Sequence, residues 1–367
     1  MQALILAGGE GTRLRPLTST IPKPVVPLAD RPLISYMLEW LHGHGVDDVI
    51  LSCGFLADGI RAVLGDGSAL GMRLRYLEEP RPLGTGGALK FAEELLDEQF
   101  FMLNGDVLTD MDLTAQLHQH EQTGARVTLA LIQVEDPSAY GLVRRNPDCS
   151  VREFVEKPGP EQIENDLISA GAYVVEREVL EGMGPAGTNI SIERQVFPEL
   201  VNNGLFGYAA SGYWLDIGTP ERYLEATYDI LEGNVTTDVG RRLSETRLAL
   251  VDGAEVSGRV VAPAMIGPGS SIARGAIVGG RAVLGRGVTV GEDAHVESSV
   301  LFDNVMVGPR ASIRSSIVGP GAAIGDQCHV DGGVVIGEGV SLGPHNVLTA
   351  GARIFPGVVL PEGAIRF

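Results

Sequence analysis

From about Pro263 onward an aliphatic side chain returns every six residues: Ile266, Ile272, Val278, Leu284, Val290 and Val296, then Leu301, Val307 and Ile313, then Val318 through Leu360. The register slips by one residue twice, after Val296 and after Ile313. Two places before each of these sits a small side chain, as at Ala264, Ser270, Ala276, Ala282, Ala294, Ala322 and Cys328, with a few valines and Asn346 as the largest exceptions. Residues two apart on a strand point the same way. Each hexad therefore reads as a short strand with one large and one small inward residue, followed by a turn in which glycine is common, as at Gly267, Gly285 and Gly319. Three such strands close a triangular coil, and the run supports roughly five coils of parallel β-helix.

Up to about Leu231 the pattern is different: short apolar runs alternate with amphipathic segments, as in an α/β domain. Strands are expected at Ala3 to Leu6, Asp48 to Ser52, Leu74 to Leu77 and Phe100 to Leu103, and helices at Leu33 to Leu41 and Ala88 to Leu96. This order implies a mixed, mostly parallel sheet with ligands beyond the carboxyl ends of its strands. The expected organisation is an α/β domain over 1–235, a connection over 236–262 with no clear pattern, and the coil over 263–367.

The net charge of −19 over 367 residues argues against a nucleic-acid groove or an anionic membrane surface as partner. Any phosphate must then be met by a local cluster of positive groups. Cys53, Cys149 and Cys328 lack metal-ligand spacing and are odd in number, which fits a reducing cytoplasm. Neither a signal peptide nor a membrane span is expected.

Such a positive cluster stands near the N-terminus. After the strand Leu4 to Leu6 come Ala7, Gly8, Gly9, Gly11 and Thr12, then Arg13, Arg15 and, between two prolines, Lys23. Glycines free the backbone to turn with its NH groups exposed, which suits an anion. The segment is no Walker loop, because no Gly-Lys-Ser/Thr follows, and Leu14 stands where a dinucleotide fingerprint has its third glycine. Asp106 after "FFMLNG" and Asp216 in "YWLDIGTPERY" could supply carboxylates to a hard cation such as Mg²⁺. Singly, each arginine reads equally as a surface charge and each aspartate as a helix cap.

Taken in order, "AGGEGTRLRPLT", "PKPVVPL", "PLGTGGAL", "NGDVL", "YGLV", "FVEKP", "SAGAYV", "SIERQVFPEL", "YWLDIGTPERY" and the hexads resemble the sugar nucleotidyltransferases over essentially the whole chain. Within them the likeness is to mannose-1-phosphate guanylyltransferases with a C-terminal hexapeptide-repeat left-handed β-helix. The resemblance implies a Rossmann-like catalytic domain and attack of a sugar-1-phosphate oxygen on the α-phosphorus of a nucleoside triphosphate, with pyrophosphate leaving in line. It implies nucleotide contacts from Leu6, Ala7, Gly8, Gly9, Gly11, Thr12, Arg13, Glu79, Gly84, Thr85 and Asn104. Arg13 and Lys23 would neutralise the triphosphate, and Asp106 and Asp216 would hold Mg²⁺. The sugar phosphate would meet Gly141, Glu156, Lys157, Ser169 and Gly171.

Glu79 stands where the family contacts the base, and a carboxylate offers only acceptors, which match the N1 hydrogen and amine of guanine. GTP is therefore expected, with Glu79 as a solvated acid beside Glu78 the bland alternative. Ser169 replaces the asparagine usual in enzymes for mannose-1-phosphate, so other sugar or cyclitol phosphates stay open. A non-catalytic sensor of nucleotide sugars is disfavoured by the presence of Lys23, Asp106 and Asp216. Acyl transfer by the coil is disfavoured because the six-residue beat leaves no long loop, and His295, His329 and His345 read as turn residues. The pairs His42/His44 and His118/His120 are not expected to bind metal. A homo-oligomer is expected from the coil's open ends and flat faces.

Overall fold

The computed structural model describes residues 1–54, 56–163, 167–244, 246, 248–250 and 253–366. Its residues divide into two compact units, Met1–Glu10 with Ile34–Trp214, and Gly11–Leu33 with Leu215–Phe367. Among the described residues no helix is long and apolar enough to cross a membrane.

The first unit is built on a Rossmann-like mixed sheet of nine strands. These are β1 (Gln2–Leu6), β2 (Asp48–Cys53), β3 (Arg73–Glu78), β4 (Gln99–Asn104), β5 (Val127–Gln133), β6 (Gly141–Arg145), β7 (Val151–Glu156), β8 (Leu167–Glu176) and β9 (Leu205–Ala209). The order is β7-β6-β8-β4-β1-β2-β3, with β5 paired to β8 and β9 paired to β5. Strands β4, β1, β2 and β3 are mutually parallel, whereas β8 runs antiparallel to β4, β5 and β6. Ala3, Leu4 and Ile5 are fully buried, as a run of consecutive apolar residues must be when both faces of a parallel strand are covered. Because β1 and β4 are in-register neighbours, with Leu6 opposite Asn104, the glycine-rich turn and the Asn104–Asp106 turn leave the same rim of the sheet.

Helix α1 spans Leu33–Gly43. The helix expected over Ala88 to Leu96 is instead α2, Gly84–Phe91, followed by a 3₁₀ turn at Glu93–Leu95. It starts earlier because the Gly86 and Gly87 amides donate to the Ile190 carbonyl, which satisfies the orphan donors of a first turn that lacks a capping side chain. Helix α3, Leu113–Thr123, is capped by the Asp112 carboxylate.

In the second unit α4, Pro220–Glu232, begins with Thr219 as cap and proline in its first turn, and ends at Gly233 with φ 79°. Helix α5, Asp238–Leu243, is capped by Thr237. The chain then winds into a left-handed parallel β-helix whose three sheets hold seven, seven and six strands. That is more than five coils, because the segment expected as a connection already supplies strands at Leu248–Leu250, Glu255–Val256 and Arg259–Val261. The first coil hides from pattern reading because it is an end: Glu255, Val256 and Arg259 are exposed, so the large-small rule is relaxed there.

Inside the coil the large and small inward positions form one core. Asn346 is fully buried yet satisfied: its Nδ2 donates to the Gly343 and Pro361 carbonyls at 2.8 and 2.9 Å, and its Oδ1 accepts from the Ile365 amide at 2.8 Å. The two register slips fall at corners where Ser298 and Ser315 take φ of 47° and 42°. His295 and His329 lie in strands facing outward, and only His345 stands at a turn. Within this unit α4 packs on the coil: Tyr228 Oη donates to the Ser298 carbonyl at 2.5 Å, and the Arg281 guanidinium stacks 4.5 Å from the Tyr228 ring centre.

Candidate active site

The expected site residues fall into two sets, one in each unit. In the first unit the turn after β1 is pressed against β2 and β3. The Ala7 amide donates to the Ser52 carbonyl at 2.8 Å. A Cβ on Gly54 would stand 2.8 Å from the Gly8 carbonyl oxygen, so glycine is required there by close approach, and one on Gly8 would stand 3.0 Å from Glu79 Oε1 and press on that carboxylate. Gly9 has open space around it.

Glu79 is not a solvated acid. It is half-buried, Ser52 Oγ donates to its Oε1 at 2.9 Å, and the Leu83 amide donates to its Oε2 at 3.1 Å. Glu78 turns outward to Arg61, 2.9 Å away. Two donors thus fix the plane of the Glu79 carboxylate beside the Gly8 turn, with a second lone pair left on each oxygen.

Glycines of the "PLGTGGAL" stretch serve packing. A Cβ on Gly84, where φ is 73°, would reach the Ile190 carbonyl oxygen at 2.6 Å, and one on Gly87 the Thr188 oxygen at 2.3 Å. Thr85 Oγ1 donates to Glu193 at 2.7 Å and accepts from the Ile192 amide at 3.0 Å. Its hydroxyl is thereby committed to holding Glu193.

At the end of β4 the Gly105 amide donates to the Leu6 carbonyl at 3.0 Å, fixing the turn that carries Asp106, whose side chain is half-buried. The register of β8 against β5 shifts between Ser169 and Tyr173, and within that bulge Gly171 takes φ 75° with its would-be Cβ 2.8 Å from Asn104 Nδ2. The bulge re-aims this backbone toward Asn104, and the Trp214 indole donates to the Ala170 carbonyl at 2.8 Å. Ser169 Oγ donates to Tyr173 Oη at 3.3 Å. Burial pushes the Tyr173 phenol well above its ordinary value, and the Glu193 charge adds to the effect.

Glu156 and Gly141 are opposed across β7 and β6. A Cβ on Gly141 would strike the Phe154 ring at 2.6 Å and Glu156 Oε2 at 3.2 Å. Burial and then the Glu193 charge raise the Glu156 carboxyl above its ordinary value, partly offset by Lys157 and Arg194. Lys157 takes φ 53° immediately before Pro158, a strained conformation for a side-chain-bearing residue. Its amide donates to the Tyr140 carbonyl at 3.0 Å. Glu193, Trp214 and Tyr140, whose ring meets Trp214 edge-on at 5.3 Å, were not singled out from the sequence, although the quoted motifs contain all three.

In the second unit Gly11 takes φ 61°, and a Cβ there would stand 3.1 Å from both Lys23 Cβ and Thr18 Cγ2. Thr18 Oγ1 donates to the Gly11 carbonyl at 2.7 Å. Lys23, only 9% exposed, is thus seated by its stem against Gly11, between Pro22 and Pro24. The Arg13 guanidinium lies over Gly218, two residues past Asp216: a Cβ on Gly218 would meet Nη2 at 2.6 Å and Cζ at 2.9 Å. Gly218→Ala should therefore displace Arg13 rather than unfold the chain, because the flexible arginine is what yields. Steady-state kinetics should show kcat/KM down about tenfold or more with little change in melting temperature, and unchanged kinetics would remove Arg13 from its assigned place.

A sequence profile described as nucleotidyl transferase matches residues 2–233, and one described as the GMPPB C-terminal domain matches residues 260–364. A mannose-1-phosphate guanylyltransferase of Mycobacterium tuberculosis is 37% identical over 100% of this chain and 98% of its own length. A mannose-1-phosphate guanyltransferase of Debaryomyces hansenii is 34% identical over 97% of this chain and 96% of its own. Among solved structures, HddC from Yersinia pseudotuberculosis complexed with GMP-PN superposes with a TM-score of 0.53 at 30% identity, over 61% of this chain and 97% of that one. With a Rossmann-like sheet, a hexad coil and likeness along its whole length to enzymes that transfer nucleotidyl groups, this chain belongs to the nucleotidyl transferase family and is itself a nucleotidyltransferase.

Proposed function

We propose that the enzyme transfers a guanylyl group from GTP to a sugar-1-phosphate, with mannose-1-phosphate the favoured acceptor, releasing pyrophosphate and forming a GDP-sugar. The observation that carries the choice of base is Glu79, an acceptor-only group fixed by Ser52 and Leu83 beside the Gly8 turn. The choice of sugar is supported by the names of the relatives.

In the reaction a non-bridging oxygen of the sugar phosphate attacks the α-phosphorus, one P–O bond forms, and the bond to the β-phosphate bridging oxygen breaks. No covalent enzyme intermediate is needed, so the chain's task is to position the reactants and neutralise charge. Arg13 and Lys23 balance the triphosphate and the departing pyrophosphate, with backbone NH groups from Gly8 to Thr12 beside them. Lys157 holds the acceptor phosphate, and Glu156 accepts hydrogen bonds from sugar hydroxyls near the bare backbone of Gly141 and Gly171.

Asp106, just past the end of β4, and Asp216, the last residue of a short strand Trp214–Asp216, are both half-buried and are the carboxylates assigned to Mg²⁺. Two carboxylates with phosphate oxygens and waters form the hard donor set this ion takes. Bound there, Mg²⁺ would screen two anionic reactants from each other. We place the enzyme in the cytoplasm as a homo-oligomer.

A second reading of the acceptor rests on Ser169, whose hydroxyl is turned to Tyr173 Oη where an asparagine would reach further. It is a different sugar or a cyclitol 1-phosphate. Pyrophosphate release measured over a grid of triphosphates and sugar-1-phosphates with Mg²⁺ tests both. The fastest pair should contain GTP, with mannose-1-phosphate ahead of glucose-1-phosphate. Fastest release with UTP, dTTP or ATP overturns the base, and a preferred acceptor other than mannose-1-phosphate transfers the case to the second reading.

A further inference from the structure

The last complete coil reaches the arginine segment of the same unit. Arg353 Nη1 donates to the Arg15 carbonyl at 2.6 Å and to the Arg13 carbonyl at 3.3 Å. These carbonyls end the 3₁₀ turn Thr12–Leu14, whose own hydrogen bonds use the Gly11 and Thr12 carbonyls. The carbonyls that finish a helical turn have no partner within it, and a guanidinium at that end both donates to them and complements the dipole.

Three arginines, Arg13, Arg15 and Arg353, line one cavity of about 460 Å³ together with Thr219 and Glu221. Three like charges gather there with a single carboxylate among the lining residues. Burial works to raise the Glu221 carboxyl, but a hydrogen bond from Thr219, its own backbone and the charge of Arg353 together hold it below its ordinary value. Glu221 therefore stays ionised, and its charge attracts that of Arg353.

We propose that Arg353 is a positioning residue for triphosphate binding: by capping the Arg13 and Arg15 carbonyls it fixes the backbone from which both guanidiniums project, so the coil's last turn is part of the phosphate-handling apparatus. The inference rests on the nucleotidyl-transfer reading for its kinetic consequence and on the hydrogen bonds alone for its structural one. Arg353 is exposed and touches no reacting atom. Its role is confined to orientation, and losing a fixed geometry for a charged group costs binding and alignment without removing the charge.

The test compares wild type with Arg353→Ala, Arg353→Lys and Val359→Ala, the last a control for disturbance of the same end of the coil, since Val359 lies in the next strand, is 71% exposed and does not line the cavity. In Arg353→Ala, KM for GTP should rise about tenfold while KM for the sugar phosphate stays within about twofold, and Arg353→Lys should recover part of the loss because an ammonium can still donate to one carbonyl. Val359→Ala should match wild type. Amide hydrogen exchange over Thr12 to Leu14 should speed up in Arg353→Ala with no ligand present. Unchanged exchange, or equal rises in both KM values shared by Val359→Ala, overturns the clamp. Wild-type enzyme that releases no pyrophosphate from any pair overturns the reading of the reaction instead, and the exchange result still decides whether Arg353 orders the turn.

Discussion

Asp106→Asn is expected to lower kcat by about three orders of magnitude, because the substitution removes a negative charge from the proposed Mg²⁺ ligand set while keeping its shape. The turn that carries Asp106 is fixed by its backbone, through the Gly105 amide on the Leu6 carbonyl at 3.0 Å and the close approach of Gly105 to Leu6. The variant should accordingly melt within about 2 °C of wild type. Raising Mg²⁺ should restore a little activity, since the remaining carboxylate and the substrate phosphates still attract the ion. Pyrophosphate release and a thermal melt, run side by side over a Mg²⁺ series, provide the check. A folded variant with wild-type turnover would end the assignment of Asp106 to the metal.

How much of the fold the sequence displays follows from how each signal is encoded. The coil was legible because burial repeats every six residues along seventeen hexads, and a periodic core writes itself into the sequence regardless of long-range contacts. Its first turn was not legible, since an end coil buries only one side and tolerates Glu255 and Arg259. Strands β1 and β4 announced themselves as apolar runs before turn residues, and their in-register pairing then brought the Gly8 and Asp106 turns to one rim.

Side-chain commitments were a different matter. That Thr85 serves Glu193, and that Ser52 holds Glu79, depends on partners 108 and 27 residues away in sequence. No local pattern carries such information. The glycines divide in the same way: Gly11, Gly84 and Gly171 owe their identity to positive φ and a crowded neighbour, Gly87 to a helix lying against the Thr188 carbonyl, and Gly9 to neither. A motif shows that glycine recurs, while only the contacts show which of these reasons applies at each place. The strained Lys157, held before Pro158 by the Tyr140 carbonyl, is likewise invisible in "FVEKP".

Glu79→Gln should change which base the enzyme prefers. The Leu83 amide needs an acceptor 3.1 Å away, so the glutamine oxygen will settle where Oε2 now lies, leaving its NH₂ at the position of Oε1. Ser52 can accommodate that exchange, because a hydroxyl both donates and accepts, and the fold is preserved. Guanine cannot: its N1 hydrogen and exocyclic amine are both donors, and one of them would now face another donor. Uracil presents an N3 hydrogen between two carbonyls, and a side chain with one acceptor and one donor suits it. A polar site that loses a matched hydrogen bond and gains a clash of donors discriminates strongly, so the ratio of kcat/KM for GTP over UTP is expected to fall by about a hundredfold. The fall should come mainly from slower reaction with GTP, whose two donors lose their matched acceptors. Competition kinetics with the two triphosphates at fixed sugar phosphate measure the ratio directly. A ratio equal to that of wild type would mean that Glu79 only braces the Gly8 turn, and that the base is chosen by backbone groups alone.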